Sequence, residues 1–183
     1  MTSHDAMTMA TDYLLAAAAA IFAVVLWRRG RRMWMIVFLF TAAGTFFGGT
    51  FHGTGDALWW KPTVFSIGLA SFFLLLAATE SRALHLVALL KFMLYATWMI
   101  THDSFLFVIV DYGMALIVVL CTQAYAWVHD RAESAPWIMS SVVVSVIAAV
   151  VQQAPVPRHN DVYHGIQLIA LWLLYRGACR QKA

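Results

Sequence analysis

Charge is what this chain most lacks: 11% of its 183 residues are Asp, Glu, Lys or Arg, while 62% are hydrophobic. A soluble domain carries about 25% charged residues, so a soluble fold does not suit the composition. Cysteine is scarce as well. The two present, Cys121 and Cys179, stand apart and form no CxxC pair, which argues against a disulfide and against a thiolate metal site. No phosphate-binding glycine loop, serine-hydrolase elbow or nucleic-acid motif occurs. The last apolar run contains no lysine, so a retinal Schiff base has no amine there. The inverted repeat with broken helices expected of a transporter is missing too.

What the chain has is apolar sequence in runs of about 17–25 residues, each long enough to cross a hydrocarbon core of ~30 Å. The pattern predicts an all-α membrane protein, one domain over residues 1–183, with seven spans near 12–27, 33–51, 63–78, 83–100, 104–128, 137–151 and 160–175. Pro136 suits the first turn of the sixth span, and Pro155 and Pro157 mark the loop before the seventh. Asp5 and Asp12, not a basic stretch, precede the first apolar run, which ends in Arg28-Arg29-Gly30-Arg31-Arg32. Those flanks describe a retained anchor, not a cleaved signal peptide.

Basic residues orient the spans. With the amino terminus outside, the inner segments hold nine (Arg28, Arg29, Arg31, Arg32, Arg82, Arg131, Arg176, Arg180 and Lys182), and the outer loops hold two, Lys61 and Arg158. Tryptophans at both span ends fit an interfacial belt. The expected location is the cell (inner or plasma) membrane, with the carboxyl terminus inside.

This orientation gathers His52, Asp56, His102, Asp103, His159, Asp161 and His164 on the outer side. Loop polarity accounts for Asp56 and Asp103. It accounts less well for His52 and His164, which lie at the edge of apolar helices or within them. A polar cluster at the mouth of a membrane helix costs free energy unless it is solvated, paired or bound to a metal. Zinc takes neutral imidazole, and a catalytic site has three protein ligands and a water whose pKa falls to ~7. A zinc centre and a pair of hydrogen-bonded core histidines are the two readings. Asp111, about two turns into the fifth span, costs ~3 kcal/mol to insert ionised. Its expected role is to hold an imidazole N–H or to pair with a polar group such as Lys91. Gly44 and Gly48 have the spacing of a small-residue helix contact.

The segment Gly48-Gly49-Thr50-Phe51-His52, with the histidine-bearing opening of the seventh span, resembles the CREST superfamily of alkaline ceramidases and progestin and adipoQ receptors. The resemblance implies a zinc held by one histidine of the second helix and two of the seventh, with a serine and an aspartate nearby. It implies His52 and His164 as ligands. The superfamily's seventh-helix pair is four residues apart, whereas His159 precedes His164 by five and Asn160 by four. His159 is the expected third ligand, turning inward from an irregular first turn, with Asn160 expected to cap the helix and Asn160 or His102 as the alternative ligands. Gly48 stands at the serine position, with Thr45 or Thr50 as substitutes. Thr63 stands near the aspartate position, leaving Asp56 or Asp111 to manage the proton.

The function implied is zinc-dependent hydrolysis of an amide or ester in a lipid-like substrate, with metal-bound water as nucleophile. A non-catalytic metal-stabilised receptor or scaffold stays open, as does a bis-histidine haem protein with His52 and His164 as axial ligands. Expected partners are bilayer lipid and a lipid-like small molecule, with a homo-oligomer as an open alternative and no nucleic acid.

Overall fold

In a bilayer every backbone N–H and C=O must find its partner within the chain, and a long apolar run does so as a helix. The computed structural model describes residues 3–155 and 158–181, so Pro157 and Lys182 lie outside the described residues. It contains seven α-helices: α1 Ser3–Arg28, α2 Arg32–Thr54, α3 Trp60–Ala78, α4 Arg82–Thr101, α5 Phe105–Asp130, α6 Ala135–Gln153 and α7 His159–Arg180. A short 3-10 turn, Ala57–Trp59, leads into α3. Among the described residues six helices, α1 to α6, are long and apolar enough to cross a membrane. The 22 residues of α7 are long enough too, but Asn160, Asp161, His164 and Gln167 dilute its first turns.

Most helix ends fall close to the expected ones, and the departures are informative. α1 begins at Ser3, well before Asp12. Thr8 and Asp12 are buried within the bundle, so the helix carries its polar residues inward instead of ending at them. α7 starts at His159, with Arg158 as N-cap in the left-handed conformation (φ 58°) and no side-chain cap. The expected Asn160 cap is therefore corrected. The Arg158 carbonyl takes the amides of Asp161 and Val162, so the helix begins earlier and Asn160 falls in its first turn. Pro136 does lie in the first turn of α6.

Contacts between helices run α1–α2–α3–α5–α6–α7 and back to α1, while α4 packs outside against α3 and α5. The chain therefore forms a six-helix ring with one outrigger. Gly44 and Gly48 form the small-residue contact their spacing suggests: a Cβ at Gly44 would lie 3.1 Å from Ile67 Cγ1, and one at Gly48 3.5 Å from Thr63 Cγ2. Both neighbours are on α3, where close backbone approach substitutes for the hydrophobic drive that lipid does not supply.

Polar contacts hold α4 in place. Tyr95 donates to the Val64 carbonyl at 2.8 Å, and Lys61 Nζ to the Met99 carbonyl at 2.6 Å. Lys91 Nζ donates to Ser71 Oγ at 2.9 Å and pairs with Asp111 Oδ1 at 2.5 Å. Of the two roles expected for Asp111, pairing with Lys91 is the one observed. Removing one partner of a buried ion pair leaves an uncompensated charge, whereas apolar replacement of both is often neutral. Asp111→Ala should therefore cost about 3–5 kcal/mol of stability, and Lys91→Leu combined with Asp111→Leu should recover most of it. Unfolding in detergent measures both, and equal losses in the single and double variants would show that the pair does not act as a unit.

Candidate functional site

Thr8, Thr11 and Asp12 are spaced i, i+3 and i+4 on α1, and Asp161 and His164 are spaced i and i+3 on α7. Such spacings put each set on one helical face, and the two faces meet. Thr8 Oγ1 donates to Asp161 Oδ1 at 3.0 Å. His164 Nε2 lies 3.1 Å from Asp12 Oδ1, and His164 Nδ1 lies 2.9 Å from Thr11 Oγ1. Thr8, Asp12 and His164 are 1%, 4% and 8% exposed, so this contact is made without water's help.

The protons can be followed. Thr11 Oγ1 donates its one proton to the Thr8 carbonyl at 2.9 Å, so it is left to accept from Nδ1–H of His164. Nε2 then faces Asp12 with one proton on the line between them, carried by either group. Each aspartate is thus held by one oxygen: Asp12 Oδ1 by His164, and Asp161 Oδ1 by Thr8. Their other oxygens, Asp12 Oδ2 and Asp161 Oδ2, are buried and have no hydrogen-bond partner. The two carboxylates are close enough to interact electrostatically. A buried oxygen left without a bond costs about 1–3 kcal/mol, more when charged.

Gly49 on α2 seats Asp12. A Cβ built there would lie 2.8 Å from Asp12 Cβ and 3.0 Å from the Tyr13 ring, so only glycine lets α1 come this close. Tyr13 Oη also pairs with Thr50 Oγ1 at 3.0 Å. The Gly-Gly-Thr stretch that carried the resemblance thus has a local task here, which is to position α1.

The structure brings some of the expected site residues together and separates others. His52, exposed in the last turn of α2, is within electrostatic reach of His164. His159 is the first residue of α7 and is half-buried. His102 stacks on Trp98 at 3.9 Å and hydrogen-bonds the Trp98 carbonyl. Asp56 caps the 3-10 turn by accepting from the Leu58 amide, and Asp111 is engaged by Lys91. Thr63, at the position of the superfamily aspartate, donates to the Trp59 carbonyl. Among the described residues no three His, Cys, Asp or Glu side chains are grouped to hold a metal ion. His164 has both ring nitrogens engaged, Nε2 with Asp12 and Nδ1 with Thr11. Asp12, Thr8 and Thr11 were missed from the sequence. The available signal was an acidic residue and two threonines on one face of an apolar helix.

Inside the ring lies a cavity of about 610 Å³, with wall residues from all six ring helices. Leu15 and Gln167 line it, one turn along from Asp12 on α1 and from His164 on α7, and Tyr163 beside His164 lines it too. Asp12, Asp161 and His164 themselves do not line it, so the cavity begins about one helical turn from them. Ile109 on α5 and Val146 and Val150 on α6 belong both to its wall and to the outer surface.

If His164 and Asp12 act as one unit, a double-mutant cycle of Asp12→Asn and His164→Gln should give a coupling of about 0.5–3 kcal/mol. Gly49→Ala, which pushes α1 away, should cost about 1–3 kcal/mol by overpacking and abolish the coupling. Additive single effects in the parent background would show that the two side chains do not touch.

No curated protein and no solved structure matches the chain. A family model does, over residues 7–183: it describes a family of unknown function, DUF6962. With nearly the whole length matched, the chain belongs to that family.

Proposed function

We propose that this protein is a membrane-embedded hydrolase that takes a lipid-like ester or amide from the bilayer and cleaves it at the Asp12–Asp161 pair. The observation that carries this reading is the pair of unpartnered carboxylate oxygens one helical turn along from a largely apolar cavity. Pockets of about 300–1,000 Å³ with apolar walls and a few polar groups are where small ligands bind. Two adjacent carboxylates divide the roles of base and acid, because like charges in close contact do not both ionise. One Oδ2 takes a proton from water as its oxygen attacks the carbonyl carbon. The protonated partner donates to the leaving nitrogen or oxygen, releasing a carboxylic acid and an amine or alcohol. His164, fixed by Thr11, and Thr8 orient the pair by their other oxygens.

The resemblance of the Gly48–His52 segment to the CREST superfamily supports a lipid amide as substrate. The metal-dependent version of the reaction is the second reading, favoured by the approach of His52 to His164 and opposed by the engagement of both His164 nitrogens. Elemental analysis separates the two. The first expects no stoichiometric zinc, and one zinc per chain that is lost in both His52→Ala and His164→Ala would establish the second.

In the topology that goes with this reading, α7 is a seventh span, the amino terminus is outside and the carboxyl terminus inside. The bias of basic residues toward one side supports it. The pair then faces the outer leaflet of the cell membrane. A carboxyl-terminal reporter that folds only in the cytoplasm should fluoresce, and fluorescence from one that matures only after export would reverse the orientation.

Positioned acid–base groups contribute about 10²–10⁴-fold in rate. Asp12→Asn and Asp161→Asn should each lower turnover of fluorogenic acyl esters and amides in lipid nanodiscs by that factor, while Asp56→Ala leaves it unchanged. Full turnover in both aspartate variants would overturn the mechanism.

A further inference from the structure

Three of the polar groups on the cavity wall are joined to one another, while Thr41, Thr45, Tyr112, Gln152 and Gln153 line it elsewhere. Gln167 on α7 accepts from Ser145 Oγ of α6 at 3.3 Å through Oε1, and its Nε2 donates to Tyr163 Oη at 3.4 Å. All three residues line the cavity, with apolar neighbours on their own helices at Val146, Ala149 and Leu171. They form a short polar strip across the α6–α7 seam.

We infer that the ligand of this cavity carries a hydroxyl or secondary amide group part-way along its apolar chain, and that Gln167 receives it. The inference rests on the cavity reading proposed above and narrows its substrate class. A primary amide offers two N–H donors and two acceptor lone pairs, and Gln167 uses one of each. The bonds it does make are long beside the usual 2.9–3.0 Å, so they yield readily to a better partner. An amide in a largely apolar cavity is costly while part of its capacity is unused. One donor and one acceptor on the same side chain match a group that both accepts and donates, which a hydroxyl and a secondary amide do and a hydrocarbon or an ether does not.

The position of Gln167 sets where on the ligand this group lies. Gln167 follows His164 by three residues, which is about 4.5 Å along the helix axis. The recognised group therefore sits about three carbons further into the cavity than the bond facing the carboxylate pair, on the portion of the ligand that enters it. A plain saturated chain would slide past the strip and leave it unmatched. Sites built to hydrogen-bond a substrate hydroxyl reject the analogue that lacks it far more strongly than apolar pockets sort chains by length. Gln167 is thus a specificity-determining residue, and it is separate from the groups that carry the proton.

The test uses two non-cleavable single-chain amphiphiles, identical except for one hydroxyl about three carbons from the head group. Each displaces a fluorescent acyl probe from the full-length protein in nanodiscs. The hydroxylated compound should bind the native protein roughly tenfold tighter, the worth of one net hydrogen bond. In Gln167→Met, close in volume, the two should bind alike and with the affinity of the plain chain. Equal binding to the native protein, or a preference that survives in Gln167→Met, would overturn the inference and leave the cavity reading intact. If neither compound displaces the probe from the native protein, the cavity reading falls and the inference with it. The native comparison decides the matter even where the variant does not fold.

Discussion

The whole arrangement depends on how the first helix meets the last. In lipid no hydrophobic force draws helices together, so association rests on close packing and on polar groups that have no better partner. At one end of the α1–α7 seam Thr8, Thr11 and Asp12 engage Asp161 and His164. Toward the other, Phe22 stacks on Tyr175 with centroids 4.5 Å apart. Each of these side chains finds at least one partner on the other helix, and separating them would strand several polar groups in hydrocarbon. Closing this seam turns a row of helices into a ring, and the ring is what encloses a cavity.

The same constraint divides the chain's intramembrane polar residues into two kinds. Lys91, Ser71 and Asp111 fasten α4 to the outside of the α3–α5 seam, and α4 contributes no wall residue to the cavity. That pair resembles structural fastening. The α1–α7 cluster differs because its bonds are incomplete: the anchored carboxylates each keep a buried oxygen without a partner. Asp111 Oδ2 is also unpartnered, but its carboxylate already faces an ammonium group, whereas Asp12 and Asp161 are within electrostatic reach of each other.

Much of the fold was legible because hydropathy and punctuation act locally. Pro136, Gly44 and Gly48 sit where their spacing put them, and Asp111 found the lysine expected of it. The pairing of α1 with α7 was not legible, because it joins residues more than 150 positions apart and no local pattern encodes it. Asp12 was read as the acidic flank of an anchor, whereas it lies on the buried face of a helix that begins at Ser3. His164 was recognised as out of place in an apolar helix, but its partner was sought among histidines. The imidazole instead reached an aspartate and a threonine on the opposite end of the sequence. His159 and Asn160 illustrate the limit of spacing arguments: one residue's shift in the start of α7, set by the left-handed Arg158, decides which of them opens the helix.

The claim at the centre of this account is that His164 is a hydrogen-bonded member of a proton-sharing pair with Asp12. Nitrogen-15 NMR of histidine-labelled protein in lipid bilayers reports on both ring nitrogens directly. The account predicts that Nε2 and Nδ1 of His164 both show hydrogen-bonded shifts, that the Nε2 signal moves when Asp12 is replaced by asparagine, and that neither signal changes on treatment with a chelator. A His164 nitrogen with a metal-bound shift that disappears on chelation, and is indifferent to Asp12→Asn, would contradict it.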